Sequence, residues 1–287
     1  MSDNILFYLV FSSQIWLMSY YYPGKVLNRM KVVMKNHPIE KYPKLYPGSV
    51  NAAKRSQRIY KNMNQLLILI GLVLMYLYAQ MSIGYDASQK HAEGMPIFFG
   101  LAQFIPIIFL QLSENSQFKK MRKANKSSKR VAELQSRGLF DFISPRLFIL
   151  AVAFFIGGVL FQLLITDFVL TENLIVMIST LFACNILFAI IIITNISGKK
   201  INPHLAHKDR IKQIEFTIHS LVYTSILVSI FFILTTAMRT YNLEHLEIIV
   251  NSIYFQALGM LGIGAMLRTI KIEDMDFEDY KADVSTS

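Results

Sequence analysis

Cysteine, charge and catalytic signatures are what this chain has least of. It holds one cysteine, Cys184, in 287 residues. A disulfide framework within the chain is therefore excluded, and with it a disulfide-stapled extracytoplasmic domain. Charged residues make up 17% of the chain, against about 25% in soluble domains. The deficit excludes an ordinary soluble protein, because the apolar residues are gathered into runs of about 18 or more, long enough to cross a hydrocarbon layer. Zinc-protease H-E-x-x-H, hydrolase G-x-S-x-G and the P-loop phosphate signature are all missing. So are aspartate-rich magnesium repeats and, in the last apolar run, any lysine for a retinal Schiff base. The residues call for no metal and no cofactor, and give no catalytic set.

What the chain does have is an all-α polytopic membrane pattern of seven spans. They are Ile5–Tyr22, Gln65–Ile83, Met95–Leu112, Leu147–Ile165, Leu174–Ile196, Phe216–Met238 and Ile248–Leu267. Before the first run the only charged side chain is Asp3, so no basic leader precedes it and the run is expected to remain as a span. Trp16, Tyr20, Tyr21 and Tyr22 at its end suit an interfacial aromatic belt.

Lys and Arg alternate between the connections. Gly24–Asn64 carries ten, Ser113–Arg146 nine, Ser197–Glu215 five and the tail from Arg268 three, whereas the other loops carry only Lys90 and Arg239. Positive charge stays on the cytoplasmic side, which places the N-terminus outside and the C-terminus in the cytoplasm of a plasma membrane, most simply a bacterial inner membrane. The outer loops are short, so the bundle reads as one leading helix plus three hairpins.

Residues 1–272 read as one transmembrane domain with basic cytoplasmic loops at 24–64, 113–146 and 197–215. In the first of these, Val26, Leu27, Met30, Val33 and Met34 form an apolar stripe, with Lys25, Arg29, Lys31 and Lys35 off it. Such a helix suits the membrane surface. Pro38, Pro43 and Pro47 then impose an ordered turn segment, and a second basic helix from Asn51 to Asn64 runs into the second span. Residues 273–287 have six acids between Glu273 and Asp283 and read as an unstructured tail when unbound.

Ionisable groups are scarce at membrane depth, which argues against a carboxylate proton relay. Glu215 and His219, four apart at the start of the sixth span, share a helix face; they read either as a relay or as a local hydrogen bond. A more distinctive pattern is depth. Gln14, Gln103, Asn185 and Gln256 each sit near the midpoint of an odd-numbered span. If those helices face one interior, the amides form a neutral polar layer on a substrate path; otherwise they are packing contacts between helices. Gly259, Gly262 and Ala265 permit close helix approach, and Gly100 with Pro106 marks a place where the third span could break.

The stretch FKKMRKANKSSKR carries Lys119, Lys120, Arg122, Lys123, Lys126, Lys129 and Arg130. It has no stacking platform or nucleic-acid module. Its charge is first a topology signal and second a contact for anionic lipid headgroups. Three functions follow from this reading. The first is a small transporter or channel-like protein for a neutral or weakly charged solute or lipid headgroup. The second is a non-catalytic membrane subunit, sensor or scaffold that recruits a protein partner through its basic face and acidic tail. The third is a lipid-modifying enzyme built on Glu215 and His219.

Overall fold

The apolar runs fold into long helices in a computed structural model that describes residues 2–82, 94–124, 138–198 and 202–282. No strand occurs among these residues. Helix α1 (Ser2–Ile15) passes through a π-helical turn (Trp16–Tyr21) into α2 (Tyr22–Asn36). After it come α3 (Val50–Ser82), α4 (Met95–Ala124), α5 (Pro145–Ile165), α6 (Glu172–Ser197) and α7 (His207–Thr240). Helix α8 (Glu247–Gly259) passes through a second π turn (Met260–Gly264) into the short α9 (Ala265–Thr269).

Among the described residues six stretches are long and apolar enough to cross a membrane: Val50–Gln80, Met95–Lys123, Pro145–Ile165, Glu172–Ser197, His207–Thr240 and Glu244–Thr269. The chain is a multi-pass, membrane-embedded helical protein. The leading run, Ile5–Tyr22, is not among the six. It forms α1 and the π turn, helical at both junctions (Ile15 φ −58°, Tyr22 φ −64°).

Several helices outrun their apolar segments. Helix α3 begins at Val50, α4 continues to Ala124 and α7 begins at His207. Good helix formers such as Lys, Arg, Gln and Glu keep each helix going past the apolar run, with no Gly or Pro to stop it. Pro106 sits inside α4 without ending it. The ends are set by specific residues. The Ser144 and Thr171 hydroxyls accept from the Leu147 and Leu174 amides, and Pro145 occupies the first turn of α5. Helix α5 stops at Asp167 and Phe168, and α7 at Asn242, all with positive φ. There the amides of Phe168 and Leu243 reach back to the Leu163 and Met238 carbonyls, a Schellman-type closure made without glycine.

The helices form two groups. In the first, α1, α3, α4 and α8 enclose Phe7, Phe11, Ile15, Leu67, Phe99 and Ile248. In the second, α5, α6 and α7 pack around Ala151, Ile214, Ile218 and Val222. The groups meet along α7 and α8, where Phe231 stacks on Tyr254 with centroids 4.1 Å apart. Close approach within the first group depends on glycine: a Cβ at Gly100 would overlap the Phe255 ring, and one at Gly259 would overlap Met18. Gly262, on the same stripe, faces open space. The turn between α7 and α8 is tied by Arg239, whose Nε and Nη2 donate to the Glu247 carboxylate at 2.8 and 3.3 Å. Cation at a helix C-terminus and anion at a helix N-terminus each also suit the helix dipoles.

Described parts of the basic connections and of the tail meet around one cavity, at what is here the basic end of the bundle. The apolar stripe of α2 does not lie outward there: Val26, Met30, Val33 and Met34 turn inward onto a cavity. The stripe thus serves as a cavity wall, where neighbouring helices cover it. The proline-rich segment is ordered, with the Tyr46 hydroxyl donating to the His37 carbonyl at 2.7 Å and Tyr42 buried.

The first part of the acidic tail is seated against this end, from Ile272 to Tyr280. Phe277 stacks on His37 at 3.9 Å, and Tyr280 is buried with Tyr42 and Met121. The Asp276 amide donates to Asp209, Asn202 donates to the Tyr280 hydroxyl, and Lys212 pairs with Asp274 at 3.1 Å. The acids made the segment look unstructured; the two aromatics among them supply the apolar area that anchors it.

Candidate functional site

Three of the four mid-span amides converge in the first helix group. Gln14 on α1 and Gln103 on α4 are fully buried. The Gln14 Nε2 donates to Gln103 Oε1 at 2.9 Å, and Gln103 Nε2 donates to Ser19 Oγ at 2.9 Å and to the Gln14 carbonyl at 3.4 Å. From α8, Ser252 Oγ donates to Gln14 Oε1 at 2.6 Å, while Gln256 Nε2 donates to the Val10 carbonyl and accepts from Ser13 at 3.1 Å each. The equal depths place these groups together because α1, α4 and α8 are neighbours. Asn185 is elsewhere: on α6 it donates to the Leu181 carbonyl and accepts from Ser225 Oγ of α7 at 2.5 Å. A single four-amide layer does not form, since α6 belongs to the other helix group.

The Gln14–Gln103 network closes on itself. Each buried amide group in it has a partner, which is the arrangement that packing in a low-dielectric interior demands. A polar path would leave such groups facing space. Gln162 on α5 is the reverse case, buried with no partner for either amide atom among the described residues.

Open space lies farther along, at the basic end. A cavity of about 620 Å³ sits between the two helix groups, within the roughly 300–1,000 Å³ usual for ligand pockets. Its walls come from α2, the start of α3, the end of α4, the end of α6 and the start of α7, and the seated tail contributes Ile272, Met275, Phe277 and Tyr280. Leu110 on its wall is two turns, about 10 Å, beyond Gln103 on α4. Between cavity and network lie the two π turns, packed on each other through Met18, Tyr22 and Ile263.

The cavity lining is mostly apolar, with amides set into it and few charges. Gln111, Asn115 and Gln117 of α4 and Gln213 of α7 face it. Arg29, Glu114 and Arg210 are the charged side chains on its wall. Arg210 donates to the Gly198 carbonyl at 2.7 Å. Half-burial lowers the Arg29 pKa, and the nearby Glu273 carboxylate opposes that shift. Tyr280 at the tail edge is pushed up to about 12, by burial first, with the bond from Asn202 working the other way.

The remaining candidates are more ordinary. His219 Nδ1 is 2.9 Å from the Glu215 main-chain carbonyl, and the Glu215 side chain points outward, so imidazole and carboxylate are not paired. Lys119, Lys120, Arg122 and Lys123 are exposed on the last turns of α4. Lys126, Lys129 and Arg130 lie outside the described residues, as does the loop carrying Lys90. Among the described residues no group of His, Cys, Asp or Glu is arranged to hold a metal.

Sequence reasoning missed the cavity amides. Gln111, Asn115 and Gln213 fall at or beyond the ends of the apolar runs, where polar residues are unremarkable. One signal was present: Gln111 and Asn115 are four apart on one face of α4. No protein-family model matches the chain, and no curated protein or solved structure is similar to it.

Proposed function

We propose that this protein is a small membrane carrier for a neutral or weakly charged solute or lipid headgroup, open toward its basic end. The cavity between two helix groups carries this reading. It is roomy at one end, with amides set into a mostly apolar wall, and closed by a buried hydrogen-bonded network about 10 Å farther in. Carriers bind substrate between helix bundles and expose the site to one side at a time. The paired π turns lie where such a bundle would flex, and π segments often mark functional positions. In this reading the chain has seven spans, α1 with its π turn being the first. Its N-terminus is outside, and its basic end faces the cytoplasm of a plasma or bacterial inner membrane. Lys119, Lys120, Arg122 and Lys123, with Lys126, Lys129 and Arg130 after them, then meet anionic headgroups.

Single cysteines in a Cys184→Ser background test this arrangement. Asn115→Cys should react with a membrane-impermeant maleimide in inverted vesicles only, and Ser252→Cys in neither orientation. Reaction of Ser252→Cys from both faces would indicate a continuous pore instead. Proteoliposomes should exchange at least one labelled solute from a panel of polyols, sugars and neutral amino-acid amides. Exchange no faster than in protein-free liposomes, across the panel, would sink the carrier reading.

One observation favours the second reading, a membrane subunit that recruits a partner through its tail. While Phe277 and Tyr280 face the protein, Glu273, Asp274, Asp276, Glu278 and Asp279 remain exposed. They offer a partner an acidic face that is already ordered. Loss of a co-purifying protein on deletion of residues 273–287 would support that role.

A further inference from the structure

We infer that the cavity at the basic end takes a neutral, hydroxyl-rich group, such as the sugar of a glycolipid-like amphiphile or a free saccharide. The inference rests on the carrier's cavity being a ligand site, and it names the chemistry that site selects.

Three observations carry it. The first is a surplus of unspent carboxamides. Gln111, Asn115, Gln117 and Gln213 line the cavity, and none makes a side-chain hydrogen bond to any described residue. Each carboxamide offers two donors and one acceptor oxygen in a fixed plane. Hydroxyl groups, which both donate and accept, satisfy that set. A carboxylate or phosphate would use only the donors, and an ammonium only the oxygens.

The second observation is charge balance. Of the two arginines on the wall, Arg29 is opposed by Glu273, and Arg210 donates to the Gly198 carbonyl. Among the described lining residues these two do not form the Arg and Lys cluster that anion sites use. The third is an aromatic and apolar flank. Tyr46, Phe118, Phe277 and Tyr280 line it on the side of the seated tail, and Val26, Met30, Leu110 and Met266 line it on the side of the helices. Flat rings suit the C–H faces of a sugar ring. The apolar wall runs toward the apolar interior of the bundle, the direction an acyl or alkyl chain would take.

The test uses the full chain, exchanged into an uncharged ether detergent without sugars and examined by native mass spectrometry. Dodecyl maltoside, free maltose, dodecylphosphocholine and laurate are titrated in turn. One dodecyl maltoside should be retained saturably, and Asn115→Leu or Gln213→Leu should each weaken retention about tenfold. Thr180→Val, exposed on α6, should leave retention unchanged. Melting temperatures within a few degrees of the parent show that the variants fold. Should Asn115→Leu fail to fold, Gln213→Asn is the second probe.

Maltose held as tightly as the maltoside would identify a free saccharide as the source. A clear preference for the maltoside would identify a headgroup. Retention of laurate or dodecylphosphocholine over maltoside, or maltoside binding indifferent to both Leu variants, would overturn the inference. The carrier reading fails separately. Maltoside binding without solute exchange removes the carrier and keeps the site. Exchange of an amide or ion without saccharide binding does the opposite.

Discussion

Two buried glutamines should respond to the same substitution with opposite sign. Gln103→Leu removes three hydrogen bonds, those with Gln14 Nε2, Ser19 Oγ and the Gln14 carbonyl. It also strands the Gln14 amide in a site with no solvent access. Hydrogen bonds between helices in a membrane average about 0.6 kcal/mol, so three give roughly 2 kcal/mol, to which the stranded donor adds. Gln162→Leu deletes an amide that is equally buried but has no partner among the described residues. Leaving a polar group unpaired costs about 1–3 kcal/mol, so its removal at nearly constant volume should be neutral or stabilising by about 1 kcal/mol. Purified protein in mixed micelles, unfolded by sodium dodecyl sulfate and followed by circular dichroism, reads both. Gln103→Leu should unfold at lower detergent fraction than the parent, and Gln162→Leu at the same or a higher one. If Gln162→Leu loses as much stability as Gln103→Leu, the number of partners is not what decides the value of a buried amide here.

Three further outcomes follow from the packing and the seated tail. Gly100→Ala and Gly259→Ala each place a methyl group inside Phe255 or Met18 and should destabilise by about 1–3 kcal/mol, seen as earlier unfolding in the same titration. Arg239→Met leaves the buried Glu247 carboxylate without its bidentate partner. With Arg239 itself half exposed, the loss should be about 1–2 kcal/mol and should shrink when Glu247→Gln is added. The third concerns pH. The Lys212 hydrogen bond, with its charge, holds the Asp274 carboxyl below its usual range. A lowered bound-state pKa stabilises docking above the free value of 3.8, and that contribution is lost as pH falls through the depressed one. Tyr280, raised to about 12 by burial, works the other way, supporting docking below its free value of 10.0 and losing it as pH climbs toward the raised one. Hydrogen exchange of the Asp276 amide, corrected for its intrinsic pH dependence, should therefore quicken modestly in acid. Lys212→Met should exchange faster than the parent at mild pH, and equal exchange in both proteins at every pH would refute the contact.

Hydrophobic length made the spans legible, and amide depth gave part of the interior. Gln14, Gln103 and Gln256 share a depth and also a neighbourhood. Asn185 shares only the depth, because sequence position along a span fixes height and says nothing about which helices adjoin. Glu215 and His219 share a face, as their spacing requires, yet the ring bonds to the main chain instead of the carboxylate. The cavity was beyond reach for a different reason. Its lining comes from many separate segments, each polar or apolar in ways normal for its place, and only their convergence makes a site. The contacts of the tail were not legible because acids outnumber aromatics in it, although Phe277 and Tyr280 make the buried contacts.

The two π turns have a consequence for register. Each lets one residue be accommodated without breaking its helix, so the segment that follows is rotated by about 100° from where an uninterrupted α-helix would carry it. Trp16–Tyr21 thus allows one continuous helix to show Phe7 and Phe11 to the core and, farther along, Val26 and Met30 to the cavity. Met260–Gly264 does the same for Phe255 and Met266. Deleting a single residue in either turn would change little in composition or hydrophobic length. It would swing one cavity wall away from the other, so the phase of the first and last helices is held by a single inserted residue in each.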